Sequence, residues 1–88
     1  MKIKTGFELR TICGEHIIVS HGEENINFVK VISLNESAAY IWNQVIDKDF
    51  TVEDVSQLLM DEYDVEETVA KTDAQELLNE WSGAGLVA

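Results

Sequence analysis

The spacing of apolar residues changes at Leu34, and this change constrains the fold more than any other feature of the sequence. Before it, apolar and polar residues alternate within Ile26–Ser33, which is the period of two that a β-strand shows. After it, apolar residues recur every three or four positions, which is the period of an α-helix. The sequence therefore predicts strands followed by helices. The first helical stripe consists of Leu34, Ala38, Ile41, Trp42 and Val45.

Three strands are predicted in the first part of the chain. Phe7–Cys13 and His16–Ser20 flank Gly14-Glu15, a Gly-X pair that suits a two-residue type II′ hairpin turn. The polar segment His21–Asn25 reads as a second turn and leads into Ile26–Ser33 as the third strand. Short connections between consecutive strands predict an antiparallel meander.

Three helices are predicted after the strands, each with its own N-terminal capping residue. Asn35 is the candidate cap of the first helix, and Ser33 with Glu36 is an alternative capping box. Thr51 is the predicted cap of the second helix, and its hydroxyl would accept a hydrogen bond from the amide three residues later. Asp64 is the predicted cap of the third helix.

The predicted order of elements is βββααα within one domain that spans residues 1–88. The third helix is expected to end at Gly83–Gly85, because glycine accepts the left-handed backbone at a helix C-terminus. A chain of this length buries about two-thirds or less of its unfolded surface, so it forms one modest core. The predicted fold class is α+β, a three-stranded antiparallel meander followed by three helices in a winged helix-turn-helix-like arrangement.

The charge of the chain is unevenly distributed. Residues 1–33 carry four basic and four acidic residues, whereas residues 34–88 carry two basic and thirteen acidic residues. The whole net charge of −11 therefore belongs to the helical part. Nucleic acids and anionic membranes are bound mainly through Lys and Arg, so this distribution disfavours both as partners. No apolar run approaches the roughly 18 residues of a membrane span.

Residues that could carry chemistry are few. Cys13 and His16 flank the predicted hairpin turn, but a zinc site needs three or four ligands and a Cys–His nucleophile pair needs a cleft. Closely spaced acidic residues, such as Asp61 with Glu62 and Glu66 with Glu67, fall at helix ends, outside any calcium-loop pattern. We therefore expect no catalytic residue, no metal and no cofactor. A single cysteine and the lack of a signal peptide are consistent with a cytoplasmic protein.

The third predicted strand, Ile26–Ser33, would lie at an edge of the meander, where backbone N–H and C=O groups lack a partner. Natural edge strands usually carry charges or proline that prevent further pairing. This strand has one charged residue, Lys30, and no proline. Either another element of the chain covers the edge, or a strand from a partner adds to it.

The motifs of the helical part resemble those of one known family. Leu34–Trp42 resembles the Leu-Asn-x-x-Ala-x-x-Ile-Trp segment of PqqD-like proteins, and Thr51–Val55 is similar to their Thr-Val-x-x-Ile segment. Tyr63–Val65 and Gly85–Val87 are similar to the Tyr-Asp and Gly-Leu positions on either side of the family's last long helix. The resemblance covers nearly the whole chain, with the motifs in the same order.

This resemblance implies a recognition element for ribosomally made, post-translationally modified peptides. The leader segment of a precursor peptide would add to the third strand and lie in the groove between that strand and the third helix. The domain would present the precursor to a modifying enzyme, often a radical S-adenosylmethionine protein, which would supply the chemistry. The candidate peptide-binding residues are Phe28, Val29, Lys30, Val31 and Ile32 on the strand, and Val69, Asp73, Glu76, Leu77 and Glu80 on the helix.

The helix residues would contribute in two ways. Val69 and Leu77 are expected to form an apolar floor, and the three acidic residues are expected to meet basic or polar side chains of the leader. A short open reading frame encoded beside this protein is expected to supply that leader.

Three other functions are possible for a chain of this kind. A nucleic-acid-binding winged helix would need basic residues on its recognition helix, but Lys71 is the one base in the second and third predicted helices. A stand-alone enzyme has no supporting constellation of residues. A small adaptor that associates with its own copies through the sheet edge stays an alternative, because two open edges can form one continuous sheet. The chain would then be a weak homodimer rather than a monomer.

Overall fold

The structure, a computed structural model, describes residues 1–20 and 31–87, which form a three-stranded sheet followed by three helices. The strands are β1 (Phe7–Ile12), β2 (Glu15–Ser20) and β3 (Val31–Leu34). The helices are α1 (Glu36–Val45), α2 (Val52–Tyr63) and α3 (Glu67–Gly83). The strand order is β1-β2-β3 and both pairs are antiparallel. The predicted α+β class and βββααα order are confirmed.

The β1–β2 hairpin turns at Cys13 and Gly14, not at the predicted Gly14-Glu15 pair. Ile12 lies directly opposite Glu15, which leaves two residues in the loop. The φ angles of Cys13 and Gly14 are 53° and 81°. Positive φ at both central residues identifies a type I′ turn, so the predicted type II′ turn is wrong. Type I′ turns match the right-handed twist of the two strands.

This hairpin determines the direction of the backbone groups in β2. In a two-residue hairpin, the residues on either side of the loop exchange both backbone hydrogen bonds, and bonded and non-bonded pairs then alternate. Ile12 and Glu15 are the residues beside the loop. The backbone groups of Glu15 therefore face β1, and those of the next residue, His16, face β3.

The register of β3 leaves alternate backbone groups on its outer side. Leu34 and Ile32 lie opposite His16 and the residue two positions later in β2, so their N–H and C=O groups bind β2. Ser33 and Val31 alternate with them, and their N–H and C=O groups therefore point away from the sheet. Within residues 1–20 and 31–87, no strand pairs with this outer edge.

The first two helices begin at the predicted caps. The Asn35 side-chain oxygen accepts a hydrogen bond from the Ala38 amide at 2.8 Å, at the start of α1. At the start of α2, the Thr51 hydroxyl accepts from the Asp54 amide at 3.1 Å, and the Asp54 carboxylate accepts from the Thr51 amide at 3.0 Å. Both predicted caps are confirmed, and the second forms a reciprocal capping box.

The predicted cap of the third helix is wrong. Asp64 ends α2 instead, with a left-handed φ of 51° and its N–H donating to the Met60 carbonyl at 3.2 Å. Helix α3 begins after Glu66, whose side chain makes no capping hydrogen bond. Asp suits both roles, because its short polar side chain caps helix N-termini and also tolerates the left-handed region.

Helix α3 ends in a Schellman motif at Gly85. The Gly85 N–H donates to the Ser82 carbonyl at 3.1 Å, and the Leu86 N–H donates to the Trp81 carbonyl at 2.9 Å. The φ angle of Gly85 is 79°, as this motif requires. The predicted role of Gly85 is confirmed, whereas Gly83 is the last residue of the helix.

The core lies between the sheet and the helices. Trp42 of α1 and Trp81 of α3 pack edge to face, with ring centroids 5.3 Å apart, and both are almost fully buried. Ile32 and Leu34 are half-buried and pack against this core from β3. The core therefore holds β3 at a set position relative to α1 and α3. Its buried residues are Ile3, Ile18, Ile41, Trp42, Val45, Phe50, Val55, Leu59, Ala70, Ala74, Leu78, Trp81 and Leu86.

Replacing Thr51 with Ala removes the capping box of α2. We expect the free energy of unfolding to fall by about 1 kcal/mol, because the Asp54 amide loses its acceptor. Urea unfolding followed by the fluorescence of the two buried tryptophans measures this change. Thr72→Ala, on the exposed side of α3, is the control and should change the value by less than about 0.5 kcal/mol. Equal effects of the two changes would show that the cap does not stabilise α2.

Amide hydrogen exchange tests the orientation of the β3 backbone. The Ile32 and Leu34 amides are bonded to β2 and should exchange several-fold more slowly than the Ser33 amide, which faces outward. The Thr11 N–H likewise points away from β2, on the outer edge of β1. Its amide is therefore a matched control and should exchange as fast as that of Ser33. A slow Ser33 amide together with a fast Leu34 amide would reverse the assignment.

Candidate functional site

The open edge of β3 is the first component of the candidate site. Of the five strand residues predicted to bind a peptide, Phe28, Val29 and Lys30 lie outside the described residues. Val31 and Ile32 belong to β3. The Ile32 side chain packs against the core and holds β3 in place. A peptide at the outer edge of β3 would therefore meet backbone groups and not this side chain.

A groove of about 260 Å³ lies between α3 and the start of α1. Its floor is apolar and is formed by Ala38 of α1, Leu59 of α2 and Leu77 of α3. Asn35 lines one side and directly follows the last residue of β3, so the groove begins where the strand ends. The complete lining is Asn35, Ser37, Ala38, Leu59, Asp73, Glu76, Leu77 and Glu80.

The groove brings together most of the predicted helix residues. Asp73, Glu76, Leu77 and Glu80 all line it, because positions three and four apart share one face of a helix. Val69 does not line it. This residue is 46% exposed and lies in a separate depression with Thr68 and Thr72, so it does not form part of the groove floor with Leu77.

Two residues of the groove floor were missed as site residues. Ala38 and Leu59 are 5% and 7% exposed, and Ala38 belongs to the apolar stripe predicted for the first helix. That assignment is confirmed, but each also forms part of the groove floor. No sequence signal separates the two roles, since the position of the groove depends on how three helices meet.

Acidic side chains form the α3 wall of the groove. Asp73, Glu76 and Glu80 are exposed and lie on one face of α3. The one basic residue on this helix, Lys71, pairs with Glu67 at 3.0 Å near the helix start. Among residues 1–20 and 31–87, no ion pair involves the three acids of the groove. The wall is therefore negatively charged and favours a cationic partner.

The other candidate chemical residues lie apart from the groove. Cys13 is exposed at the hairpin turn, and His16 shares a 2.9 Å hydrogen bond between its Nδ1 and the Thr11 hydroxyl. In the part of the chain that the structure describes, no three His, Cys, Asp or Glu side chains are grouped to hold a metal ion. None of the described helices is both long and apolar enough to cross a membrane.

Two solved structures share this fold. The chain described as "Lasso peptide synthetase B1 complexed with the leader peptide" superposes with a TM-score of 0.73, covering 99% of this chain and 95% of that chain at 23% identity. The chain described as "TbiB1 in Complex with the TbiA(beta) Leader Peptide" superposes with a TM-score of 0.75, covering 99% and 94% at 18% identity. At these identities, the similarity establishes a common fold.

The sequence itself matches one family and none of the curated proteins. The family is described as Coenzyme PQQ synthesis protein D (PqqD), and the match covers residues 15–87. This range includes β2, β3 and all three helices, and therefore the open strand edge and every residue of the groove. The match confirms the resemblance that the sequence motifs indicate, and the chain belongs to the PqqD family.

Proposed function

We propose that this protein captures the leader segment of a ribosomally made precursor peptide and presents it to a modifying enzyme. The observation that carries the proposal is the open edge of β3 next to the groove along α3. Membership of the PqqD family supports it, as do the two similar folds whose descriptions include leader peptides. In this proposal, residues 1–88 act as one non-catalytic recognition domain.

The leader binds as an added strand on β3. The N–H and C=O groups of Ser33 and Val31 point outward and can pair with an extended peptide. These main-chain bonds depend little on the sequence of the peptide, so side-chain contacts supply the selectivity. The groove beyond Asn35 receives those side chains. A micromolar complex needs only about −8 kcal/mol, which a short added strand with a few anchors can reach.

The outer edge of β1 is a less suitable site. Arg10 and Glu8 form a 3.2 Å ion pair on this strand, and charged side chains on an edge discourage further pairing. The described part of the third strand, Val31–Leu34, carries no charged residue. Asn35 directly follows β3 and lines the groove, so a peptide on the β3 edge can use both backbone pairing and side-chain anchoring.

The modifying enzyme supplies the chemistry. We propose a radical S-adenosylmethionine protein in the cytoplasm as this partner, and family resemblance is the support for it. The recognition domain holds the leader while the rest of the precursor enters the active site of the enzyme. It therefore needs neither a metal nor a cofactor of its own.

Val31→Pro should abolish or strongly weaken peptide binding, because it deletes an outward backbone N–H of β3. The probe is a fluorescein-labelled synthetic leader from the short open reading frame beside this protein, and anisotropy measures its Kd. Thr11→Pro deletes an outward N–H on the edge of β1 and is the matched control. We expect at least a ten-fold increase in Kd for Val31→Pro, about 1.4 kcal/mol, and little change for Thr11→Pro.

Circular dichroism and the fluorescence of the buried tryptophans show whether both variants keep the fold. Ser33→Pro removes the neighbouring outward N–H and replaces Val31→Pro if the latter unfolds the sheet. Loss of binding in Thr11→Pro alone, with β3 variants binding normally, would place the peptide on β1 and contradict the proposal.

Self-association through β3 is the second candidate function, since the same open edge could pair with another copy. Sedimentation velocity over a range of protein concentrations, with and without the leader, distinguishes the two. A leader that binds β3 should compete with any dimer and leave monomers. Dimers that persist at saturating leader would favour the adaptor function.

A further inference from the structure

The α3 groove has two chemically different parts that a single type of side chain would match. Its floor is apolar, formed by Ala38, Leu59 and Leu77, and its α3 wall ends in carboxylates. Lys and Arg carry an apolar stem and a charged head, and they bury the stem while the head stays at the surface. The groove therefore matches a basic side chain better than an apolar or an acidic one.

The carboxylates of this wall are available to such a side chain. Asp73, Glu76 and Glu80 are exposed, and in the described part of the chain none of them pairs with a base. Like charges three and four residues apart on a helix repel each other. A cation placed between them relieves this repulsion and makes new ion pairs, so charge complementarity selects the occupant.

The size of the groove favours side chains of a peptide over a free small molecule. Its volume of about 260 Å³ is below the range of roughly 300–1,000 Å³ usual for small-molecule sites. Glu76 and Glu80 are four residues apart, which is about 6 Å along the helix axis. Alternate residues of an extended strand are about 6.7 Å apart, so two side chains from one face of a strand can match this spacing.

We propose that the groove selects a leader segment with Lys or Arg at alternate positions on the face that meets α3. Their stems lie on Leu59 and Leu77, and their charged groups pair with Glu76 and Glu80, with Asp73 extending the acidic wall. This inference rests on the proposed function, because it specifies the chemistry of the segment that β3 captures. The acidic helical part of the chain thereby serves recognition.

Binding of three synthetic peptides tests this charge selectivity. The peptides have equal length, and Thr alternates with Lys in the first, with Gln in the second and with Glu in the third. Fluorescence anisotropy at low salt gives each Kd. We expect the Lys peptide to bind about five-fold more tightly than the Gln peptide, as one good surface ion pair allows, and the Glu peptide to bind most weakly. The preference should decrease as salt is added.

Two charge-matched variants locate the effect. Asp73→Asn combined with Glu76→Gln and Glu80→Gln removes three negative charges from the groove. Asp47→Asn combined with Asp49→Asn and Glu53→Gln removes three from the connector after α1 and the start of α2. We expect the groove variant to lose the preference for Lys over Gln and the control variant to keep it. All six residues are exposed, so both variants should fold, which circular dichroism verifies.

The outcomes separate this inference from the proposed function. Equal binding of the Lys and Gln peptides, with both weakened by Val31→Pro, would overturn the charge selectivity and support strand addition. An equal loss of the Lys preference in both triple variants would also overturn it, because the effect would then come from net charge alone. If none of the three peptides binds although the leader does, the charge selectivity is overturned and the proposed capture stands; if the leader does not bind either, both are contradicted.

Discussion

The contact between Trp42 and Trp81 is the interaction on which the rest of the structure depends. It joins α1 to α3 in the centre of the core, with the two rings edge to face. Asn35 alone separates β3 from α1, and it lines the groove together with residues of α3, so the end of β3 lies near α3. The groove is the space that remains between α3 and the first turn of α1, so its location follows from the packing of the core.

Two features that have no partner among residues 1–20 and 31–87 then lie close together. The type I′ hairpin sets the alternation of backbone groups through β2, which turns the N–H and C=O groups of Ser33 and Val31 outward. The negatively charged wall of α3 lies beside the same end of the strand. In the proposed function, backbone pairing gives general affinity for extended peptides, and the charged groove adds selectivity. A small domain without a deep cleft can recognise a peptide in this way.

The sequence predicted the features that depend on local chemistry. Asn35 and Thr51 cap helices through their own side chains, and the α3 face from Asp73 to Glu80 follows from helical spacing alone. The turn at Gly14 and the role of Asp64 were predicted wrongly, because each residue suits two backbone positions and neighbouring pairing decides between them. Leu77 of the groove floor was predicted, whereas the contributions of Ala38 and Leu59 could not be, since they depend on how separate helices meet. Three of the five strand residues predicted for the site, Phe28, Val29 and Lys30, lie outside the described residues.

The most direct measurement of the central claim is a set of intermolecular nuclear Overhauser effects between isotopically labelled protein and unlabelled leader peptide. Peptide bound as an added strand should give contacts from its backbone protons to those of Val31 and Ser33, and from its side chains to Leu77 and the α3 wall. Contacts to the β1 edge around Thr11, or to the exposed face of α2, would contradict the account.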